Sequence, residues 1–365
     1  MATSFTHQVG GHPSTILSSP LSSSTLIKPA CRTELDFYRS VGPTLGDGEF
    51  MQEWCPAFYG TLTLQGKANA EGHELNDDAS TRDAPPELTR SCDAQMLVLE
   101  NLTHKFRRPN VLDIKLGQVL YDEASASPDK IERMKRAAEK TTSGELGLRL
   151  TGFQVWDFEK EAYVQTPKPF GRTLQPSELD LGLSRFFYPS HTSLSASEQL
   201  ASTSSSSSPP SPDLPVPPTS FPPTLPPDLV LPILRTLLRR LERLSILLKS
   251  LKGLKMRGAS LLIVVEGDPA VLEKSLLRAV AASTADEVEG QEDDEEEDED
   301  LDDEGNAVEE SLIPFEIKVI DFAHTTTTRD SDDVDEGVIF GVENVKRGLG
   351  KLVERIEADE KRLRN

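Results

Sequence analysis

The sequence has few aromatic residues, few cysteines and no long apolar run. Aromatic types make up 6% and hydrophobic types 36% of its 365 residues, which is low for a chain that is folded throughout. We therefore expect part of the chain to lie outside any hydrophobic core. No apolar run reaches the roughly 18 residues that span a bilayer, and no hydrophobic segment follows a basic start. The sequence predicts a protein without a transmembrane segment.

The three cysteines are Cys31, Cys55 and Cys92. Their number is odd and their spacing is not that of metal ligands, so the sequence gives no disulfide framework and indicates a reducing compartment. We expect a soluble, intracellular protein.

The formal net charge is −22, but it is concentrated in one segment. Residues Asp286 to Glu304 hold fifteen carboxylates and no cation, and the rest of the chain carries only about −7. The overall charge therefore says little about binding partners. We expect no direct binding to nucleic acid.

Two low-complexity segments interrupt the chain. Residues 190–228 are rich in Ser and Pro, and residues 284–311 contain the acidic run. Neither can bury enough apolar surface to offset its ordering entropy, so both are predicted to be disordered inserts. The polar stretch 66–87 is predicted to be a long loop. We expect an N-lobe at residues 1–102 and a C-lobe at residues 103–365.

The ordered remainder alternates short strands and helices, which predicts an α+β chain of two lobes. Strands are expected at Ser24–Lys28, Phe58–Gln65, Gln95–Glu100, Val111–Leu116, Leu148–Trp156, Ala162–Gln165, Ser260–Val265 and Glu316–Asp321. Helices are expected at Thr33–Val41, Pro128–Lys140, Pro176–Phe187, Leu229–Leu254, Pro269–Ala281 and Glu336–Asp359.

The segment at 229–254 places leucines at helical spacing beside many cations. A basic amphipathic helix of this kind can bind membranes or calmodulin-like partners. It can equally be a core helix whose charged face is solvated, which is the commoner use of the pattern.

The stretch "RRPNVLDIKLGQVLYD" at 107–122 places two charged residues within an apolar run. Alternation predicts a strand, on which Asp113 and Lys115 point to the same face. Taken alone, the pair could be an ion pair at a sheet edge.

Further motifs give this pair a context. With Pro109 and Gly117 it completes the pattern P-x-x-x-D-x-K-x-G, and "GASLLIVVEGD", "FEIKVIDFAHT" and "DEGVIFGVENV" follow it in order. Together these segments resemble the inositol polyphosphate kinase family, whose S-S-L-L motif stands here with Ala259 in place of its first serine. The start "HQVGGH" and the segment "TLIKPACRTELDFY" are similar to the family's N-lobe.

The resemblance implies a two-lobed fold like that of protein kinases, with an antiparallel N-lobe sheet and a mixed C-lobe. It implies ATP and Mg²⁺ as cofactors and assigns residues to them. Lys28 would grip the ATP phosphates with Glu34 orienting it, and Asp321 would hold the metal. Backbone groups of Glu100 and Leu102 would receive adenine, and Ser260 would lie near the phosphates.

For the acceptor, the resemblance implies that Asp113 and Lys115 act where the two substrates meet. Asp113 would bind ribose and inositol hydroxyls, and Lys115 would steady the transferring phosphoryl group. The helix at 128–140 would bind the polyanion, because its cations cover about one third of the helical wheel. These cations are Lys130, Arg133, Arg136 and Lys140. His324 matches a residue near the inositol ring, although a capping role is also open.

The implied activity is that of a multikinase that phosphorylates inositol trisphosphate and tetrakisphosphate. A hexakisphosphate kinase making pyrophosphates is the alternative, against which the short inositol-binding region argues. Another is a scaffold whose acidic and Pro-rich inserts bind transcription or chromatin proteins, with incidental catalysis. We expect a location in nucleus and cytoplasm, the nuclear part on resemblance alone.

Overall fold

A computed structural model describes nine stretches of the chain. These are residues 3–10, 16–20, 22–64, 94–123, 126–166, 168–189, 225–285, 313–328 and 331–364. The predicted loop at 66–87, Cys92, residues 190–224 and residues 286–311 lie outside them.

The first sheet is formed by the N-terminal part of the chain and is antiparallel throughout. Its strands are β1 (Thr3–Ser4), β2 (Leu17–Ser18), β3 (Thr25–Pro29), β4 (Phe58–Leu64) and β5 (Ala94–Glu100), in the order β1-β2-β3-β5-β4. The predicted strands at 24–28, 58–65 and 95–100 are confirmed within one residue. The two-residue strands β1 and β2 were not predicted.

A helical segment joins β3 to β4 and packs against the C-terminal half. It consists of α1 (Arg32–Asp36), a π-helix (Phe37–Val41), a 3₁₀ helix (Gly42–Gly48) and α2 (Glu49–Trp54). The helix predicted at 33–41 is thus α-helical only as far as Asp36. Phe37 stacks on Phe322 with ring centroids 3.9 Å apart, which ties this segment to the other half of the chain.

The central sheet contains the P-x-x-x-D-x-K-x-G motif found in the sequence. Its strands are β6 (Pro109–Leu116), β7 (Leu148–Asp157), β8 (Ala162–Thr166), β10 (Ser260–Glu266) and β11 (Phe315–Ile320), in the antiparallel order β11-β10-β6-β7-β8. A separate ribbon pairs β9 (Leu254–Met256) with β12 (Thr325–Thr327). All five predicted strands of the central sheet are confirmed, and β6 lies in the middle.

The helices of the second half lie around this sheet. They are α3 (Pro128–Glu139), α4 (Thr142–Leu146), α5 (Lys168–Thr173), α6 (Leu179–Phe187, after a 3₁₀ turn at Pro176–Glu178), α7 (Pro227–Ser250), α8 (Pro269–Ala285) and α9 (Glu336–Arg364). The sequence did not predict the short helices α2, α4 and α5.

Several predicted boundaries are wrong, including the helix ends predicted at Ala281 and Asp359, which lie at Ala285 and Arg364. The helix predicted to reach 254 ends at Ser250, because Gly253 takes a positive φ of 73° and residues 254–256 pair as β9. The Pro-rich insert was predicted to end at 228, yet α7 begins at Pro227. The acidic insert was predicted to start at 284, yet α8 continues to Ala285.

The long helix α7 is a core helix. Its leucines are buried in the main hydrophobic cluster, whereas cations on its outer face form ion pairs. Arg243 pairs with Glu53 at 2.8 Å and Arg235 with Glu357 at 2.7 Å. The core-helix interpretation is therefore confirmed. Among the residues that the structure describes, no helix is long and apolar enough to cross a bilayer.

The burial of α7 generates a stability prediction. Leu241 is fully buried and Ile246 on the same helix is 59% exposed. We expect Leu241→Ala to lower the free energy of unfolding by about 2 to 5 kcal/mol, because it removes buried methyl groups and leaves a cavity. Ile246→Ala is the matched control and should change it by less than about 0.5 kcal/mol. Urea unfolding checks both, and equal losses would contradict the placement of α7.

Candidate active site

The alternation along β6 separates an apolar face from a charged one. Leu112 and Ile114 are fully buried in the main core, on a strand that packs against α9. Asp113 and Lys115 lie on the opposite face, as period two requires. The prediction that this pair shares one face of a mostly buried strand is confirmed.

Asp113 is a buried carboxylate with a strongly perturbed pKa. Its residue is only 4% exposed, and burial raises its pKa to about 6, while Lys115 opposes the rise and Asp321 adds to it. Gly10 packs directly on this carboxylate, since a Cβ at that position would lie 1.8 Å from Oδ2 of Asp113. The N-terminal segment thus covers Asp113, and only glycine fits there.

Lys115 is held at the same face by its neighbours on both sides. It lies opposite Ser260 on β10 and opposite Arg149 on β7. Its Nζ donates to the carbonyl oxygen of Gly258 at 2.7 Å. The ammonium is therefore directed toward the residues just before β10 rather than bonded to Asp113.

Lys28 links the first sheet to the central one. Its Nζ donates to Glu34 Oε1 at 2.8 Å and to Asp321 Oδ1 at 2.6 Å. Burial disfavours its charge, but the two carboxylates outweigh burial and raise the pKa of Lys28. The expectation that Glu34 orients Lys28 agrees with this geometry.

Asp321 stands directly after β11 in a strained backbone conformation. Its φ is 67°, a left-handed value that is uncommon outside glycine. Burial works against its charge, but Lys28 and then Lys115 lower its pKa, so the group is ionised. Its side chain is still 37% exposed. The next residue, Phe322, is fully buried in the aromatic stack and fixes the turn.

The donors at Asp321 fit a metal that is shared with a ligand. Within the described stretches, no group of three or more His, Cys, Asp or Glu side chains could hold a metal ion. A partly exposed, ionised carboxylate suits Mg²⁺ or Mn²⁺, which bind through one or two carboxylates plus phosphate oxygens. Asp321 is thus a fitting ligand, but an incomplete site.

The predicted adenine-binding residues lie where the two sheets are joined. The Glu100 carboxylate accepts the backbone N–H of Ala57 at 3.1 Å, which fixes the end of β5. Leu102 is buried in a small cluster with Phe106, Val111 and Val264. Leu262 and Ile320 pack at its border and are half-buried, so an apolar surface adjoins the linker.

The structure brings only part of the predicted polyanion helix to this centre. His324 is an exposed residue whose ring is partly covered. Partial burial and then the charge of Lys130 lower its pKa. Lys115 lowers it further, and Asp122 acts in the opposite direction. His324 therefore lies within electrostatic range of both Lys130 and Lys115. Arg136 instead pairs with Glu132 on its own helix at 2.8 Å, and Lys140 is exposed at the C-cap. Arg133 is also exposed on α3.

Two cations that were not predicted, Arg149 and Lys168, interact with Asp113, and Arg172 lies beside both of them. Burial, followed by Arg172, lowers the pKa of Arg149, which Asp113 counteracts. Burial also lowers the pKa of Lys168, with Asp113 opposing and Arg172 and Lys115 contributing. A signal was present in "LGLRL" and "KPFGRT", where a cation interrupts an apolar strand and two cations stand four apart. Their convergence on Asp113 depends on the pairing of β6 with β7.

Comparisons with known proteins agree with this geometry. A family profile described as inositol polyphosphate kinase matches residues 96–205 and 227–349. The inositol polyphosphate multikinase of Saccharomyces cerevisiae is 32% identical over 228 residues, 54% of this chain and 63% of the relative. That of Schizosaccharomyces pombe is 31% identical over 183 residues, 50% of this chain and 62% of the relative. The chain thus spans a little under two thirds of the length of these relatives.

A solved structure shows the same fold. The crystal structure of inositol phosphate multikinase from S. cerevisiae in complex with ADP and Mn²⁺ superimposes with a TM-score of 0.53 at 25% identity. The match covers 90% of this chain and 99% of that chain. The two-sheet architecture is therefore that of a known class of phosphotransferases. With the profile matching more than half of its length, the chain belongs to the inositol polyphosphate kinase family, as its motifs predicted.

The buried Asp113 generates a pH-dependent stability prediction. Its pKa is about 6 in the folded chain and about 3.9 in an unfolded one. Between these two pKa values Asp113 has lost its proton in the unfolded chain but keeps it in the folded one. The free energy of unfolding therefore falls as the pH rises through this range, and it falls no further above the folded pKa. We expect Asp113→Asn to raise the free energy of unfolding by up to about 3 kcal/mol at pH 7.5, with little change near pH 4.

Urea unfolding of the metal-free and nucleotide-free protein at both pH values checks this prediction. Asp333→Asn, at an exposed position, is the control and should change stability by less than about 0.5 kcal/mol. An Asp113→Asn variant that is less stable than the wild type at pH 7.5 would show that Asp113 is stabilised as an anion.

Proposed function

We propose that the protein is an ATP-dependent kinase that phosphorylates hydroxyl groups of soluble inositol polyphosphates. Trisphosphate and tetrakisphosphate would be converted to more phosphorylated forms, as in a multikinase. The observation that carries the proposal is the convergence of Asp113, Lys115 and Asp321, whose charges perturb one another. The names of the relatives and the ADP and Mn²⁺ of the solved neighbour support it.

The nucleotide would bind between the two sheets. Lys28 carries a positive charge that Glu34 and Asp321 maintain, so it can contact phosphate oxygens without losing its orientation. Backbone groups of Glu100 and Leu102 would receive adenine, and the apolar surface of Leu262 and Ile320 would cover one side of the ring. Ser260, buried on the same face, would lie toward the phosphates.

Asp321 would hold a divalent ion, Mg²⁺ in the cell, together with the phosphates. When bound, such an ion neutralises charge that develops on the transferring phosphoryl group. Lys28 now pairs with the oxygen of Asp321 that faces it. This contact keeps the carboxylate ionised and oriented toward the cleft, which is what a metal ligand requires.

The acceptor hydroxyl would meet Asp113 and Lys115. A carboxyl group with a pKa near 6 is mostly ionised at neutral pH and can accept the hydroxyl proton. Lys115 is fixed through Gly258 and can stabilise charge on the phosphoryl group as it moves between oxygens. Because both side chains are carried by one strand, their separation is set by the backbone.

The acceptor's phosphates require several cations in one place. His324 interacts with Lys130 and Lys115, Lys168 interacts with Lys115 and Arg172, and Arg149 interacts with Arg172. Like charges held this close repel one another, and a bound polyanion would relieve that repulsion. The cluster is thus suited to a substrate with many negative charges.

Further expectations rest on the sequence only. Transcription or chromatin proteins could bind the acidic and Pro-rich segments, which lie outside the described residues, and the chain would function in nucleus and cytoplasm. We propose these as secondary features. A hexakisphosphate kinase remains the alternative enzyme, and the assay below distinguishes it.

The acceptor proposal predicts a specific loss of activity. Lys115→Ala should lower turnover of inositol 1,4,5-trisphosphate about 100-fold or more, because it removes a positioned charge from the reacting group. Products formed with magnesium ATP are resolved by charge, with hexakisphosphate as a parallel acceptor. Circular dichroism checks that the variant is folded.

The helix α3 supplies a test variant and a matched control. Lys130→Ala should raise KM for the inositol phosphate several-fold, since Lys130 acts electrostatically on His324, which is also within range of Lys115. Lys135→Ala removes an exposed cation from another side of the same helix and should leave KM within about twofold. Retained activity in Lys115→Ala would exclude this mechanism, and turnover of hexakisphosphate alone would favour the alternative enzyme.

The incomplete metal site proposed at Asp321 gives another prediction. We expect Mg²⁺ or Mn²⁺ alone to bind more weakly than about 1 mM, because the described residues offer no complete site. With ADP present, one ion should bind at least about tenfold more tightly, and Asp321→Asn should abolish that gain. Isothermal titration calorimetry measures both. Tight metal binding without nucleotide would contradict the shared site.

A further inference from the structure

The linker between the two sheets, residues 101–108, is fixed at its first residue to the N-terminal sheet. The backbone N–H of Asn101 donates to the carbonyl oxygen of Ser24 at 2.8 Å. Its side-chain amide donates to the carbonyl oxygen of Ser23 at 2.7 Å. Asn101 therefore moves with the strand β3 and the turn before it.

The other end of the linker is fixed by one buried carboxylate. Glu266 is the last residue of β10 and is 1% exposed. It accepts the backbone N–H groups of Arg107 at 2.7 Å, Arg108 at 3.0 Å and Asp268 at 2.9 Å. Two of these three donors belong to the linker, so Glu266 bonds the linker's second end to the central sheet.

The contacts around Glu266 show that it serves the backbone and not an ion pair. The side chain of Arg107 pairs with Asp268 at 3.3 Å, and that of Arg108 lies over the Trp156 ring. Burial raises the pKa of Glu266, and the three backbone donors act in the opposite direction. Loss of the carboxylate would leave buried N–H groups without an acceptor, which is costly.

Gly267, the next residue, allows the linker and the end of β10 to approach each other closely. The N–H of Gly267 donates to the carbonyl oxygen of Arg108 at 2.8 Å. A Cβ at Gly267 would lie only 2.7 Å from that oxygen. Residues 107 and 108 thus donate hydrogen bonds to Glu266, and residue 108 also accepts one from Gly267. Residues 102–106 connect this attachment to the one at Asn101.

We propose that Glu266 is a positioning residue for nucleotide binding. It fixes the second end of the linker and thereby sets where the peptide groups of Glu100 and Leu102 stand relative to Asp113 and Asp321. The inference rests on the proposed placement of adenine at this linker. It assigns Glu266 an effect on nucleotide affinity and none on the inositol phosphate, whose cations belong to other elements.

The test is Glu266→Gln in the full chain. Glutamine has the same shape, but its NH₂ group would face a backbone N–H in place of an accepting oxygen. We expect Kd for ADP and KM for ATP to rise about tenfold, with kcat and KM for inositol trisphosphate within about twofold at saturating ATP. Amide hydrogen exchange at Arg107 and Arg108 should accelerate at least about tenfold without any ligand.

Two further variants make the result specific. Arg107→Gln removes the surface pair with Asp268 but keeps the N–H that Glu266 accepts, so ADP affinity should stay within about twofold. Glu266→Asp keeps the charge and provides a second measurement should the glutamine variant fold poorly, with an intermediate loss of ADP affinity expected.

Other outcomes would overturn the inference. Unchanged exchange at residues 107 and 108 would show that Glu266 does not fix the linker, and equal changes in both KM values would make its role merely structural. A wild-type chain that binds ADP but phosphorylates no inositol phosphate would contradict the proposed acceptor and leave the ADP measurement decisive for Glu266. A wild-type chain that binds no ADP would refute both proposals.

Discussion

The site depends on the burial of one carboxylate beside cations on the central strand of a sheet. Strand β6 lies between β10 and β7, so its backbone is bonded on both sides and its register is fixed. Apolar side chains on one face commit that face to the core. Asp113 and Lys115 are consequently presented on the other face, and a shift by one residue would turn two charges into the core.

The other parts of the site are arranged around this face by strand pairing. Ser260 stands opposite Lys115 on one neighbouring strand, and Arg149 stands opposite it on the other. The Asp321 carboxylate arrives from the end of β11, one strand further out. Pairing of antiparallel strands thus converts four segments that are far apart in the chain into one charged surface, with Lys28 joining it from the other sheet.

The strands and the central pair could be predicted because each has a strong local signal. Alternation in β6 and the apolar run of β10 suffice to place Asp113 and Ser260 on strands. The end of α7 was missed although Gly253 marks it, because the leucine pattern continues through Leu254 while the backbone already pairs as a strand. The strands β1 and β2 have two residues each, too few for any period to appear.

The cation cluster could not be predicted for a different reason. Arg149 and Lys168 are ordinary residues in their local segments, and their meeting with Lys115 depends on the irregular register after Asp113, where β6 and β7 shift. A bulge re-aims side chains locally, and no spacing within either strand reveals it. The helix α3 illustrates the converse, since its wheel grouped four cations on one side, whereas in the structure Lys130 acts on His324 and Arg136 pairs with Glu132 on its own helix.

The linker at residues 101–108 is bonded to one sheet at each end, and this affects the two parts of the site differently. Asp113, Lys115 and Asp321 belong to one sheet, so their relative positions do not depend on how the sheets are oriented. Lys28 belongs to the other sheet and reaches Asp321 across the cleft. The nucleotide-facing part of the site therefore varies with the linker, while the positions of Asp113 and Lys115 are set within the central sheet. A change in the angle between the sheets would alter contacts with the phosphates before it altered those with the inositol ring.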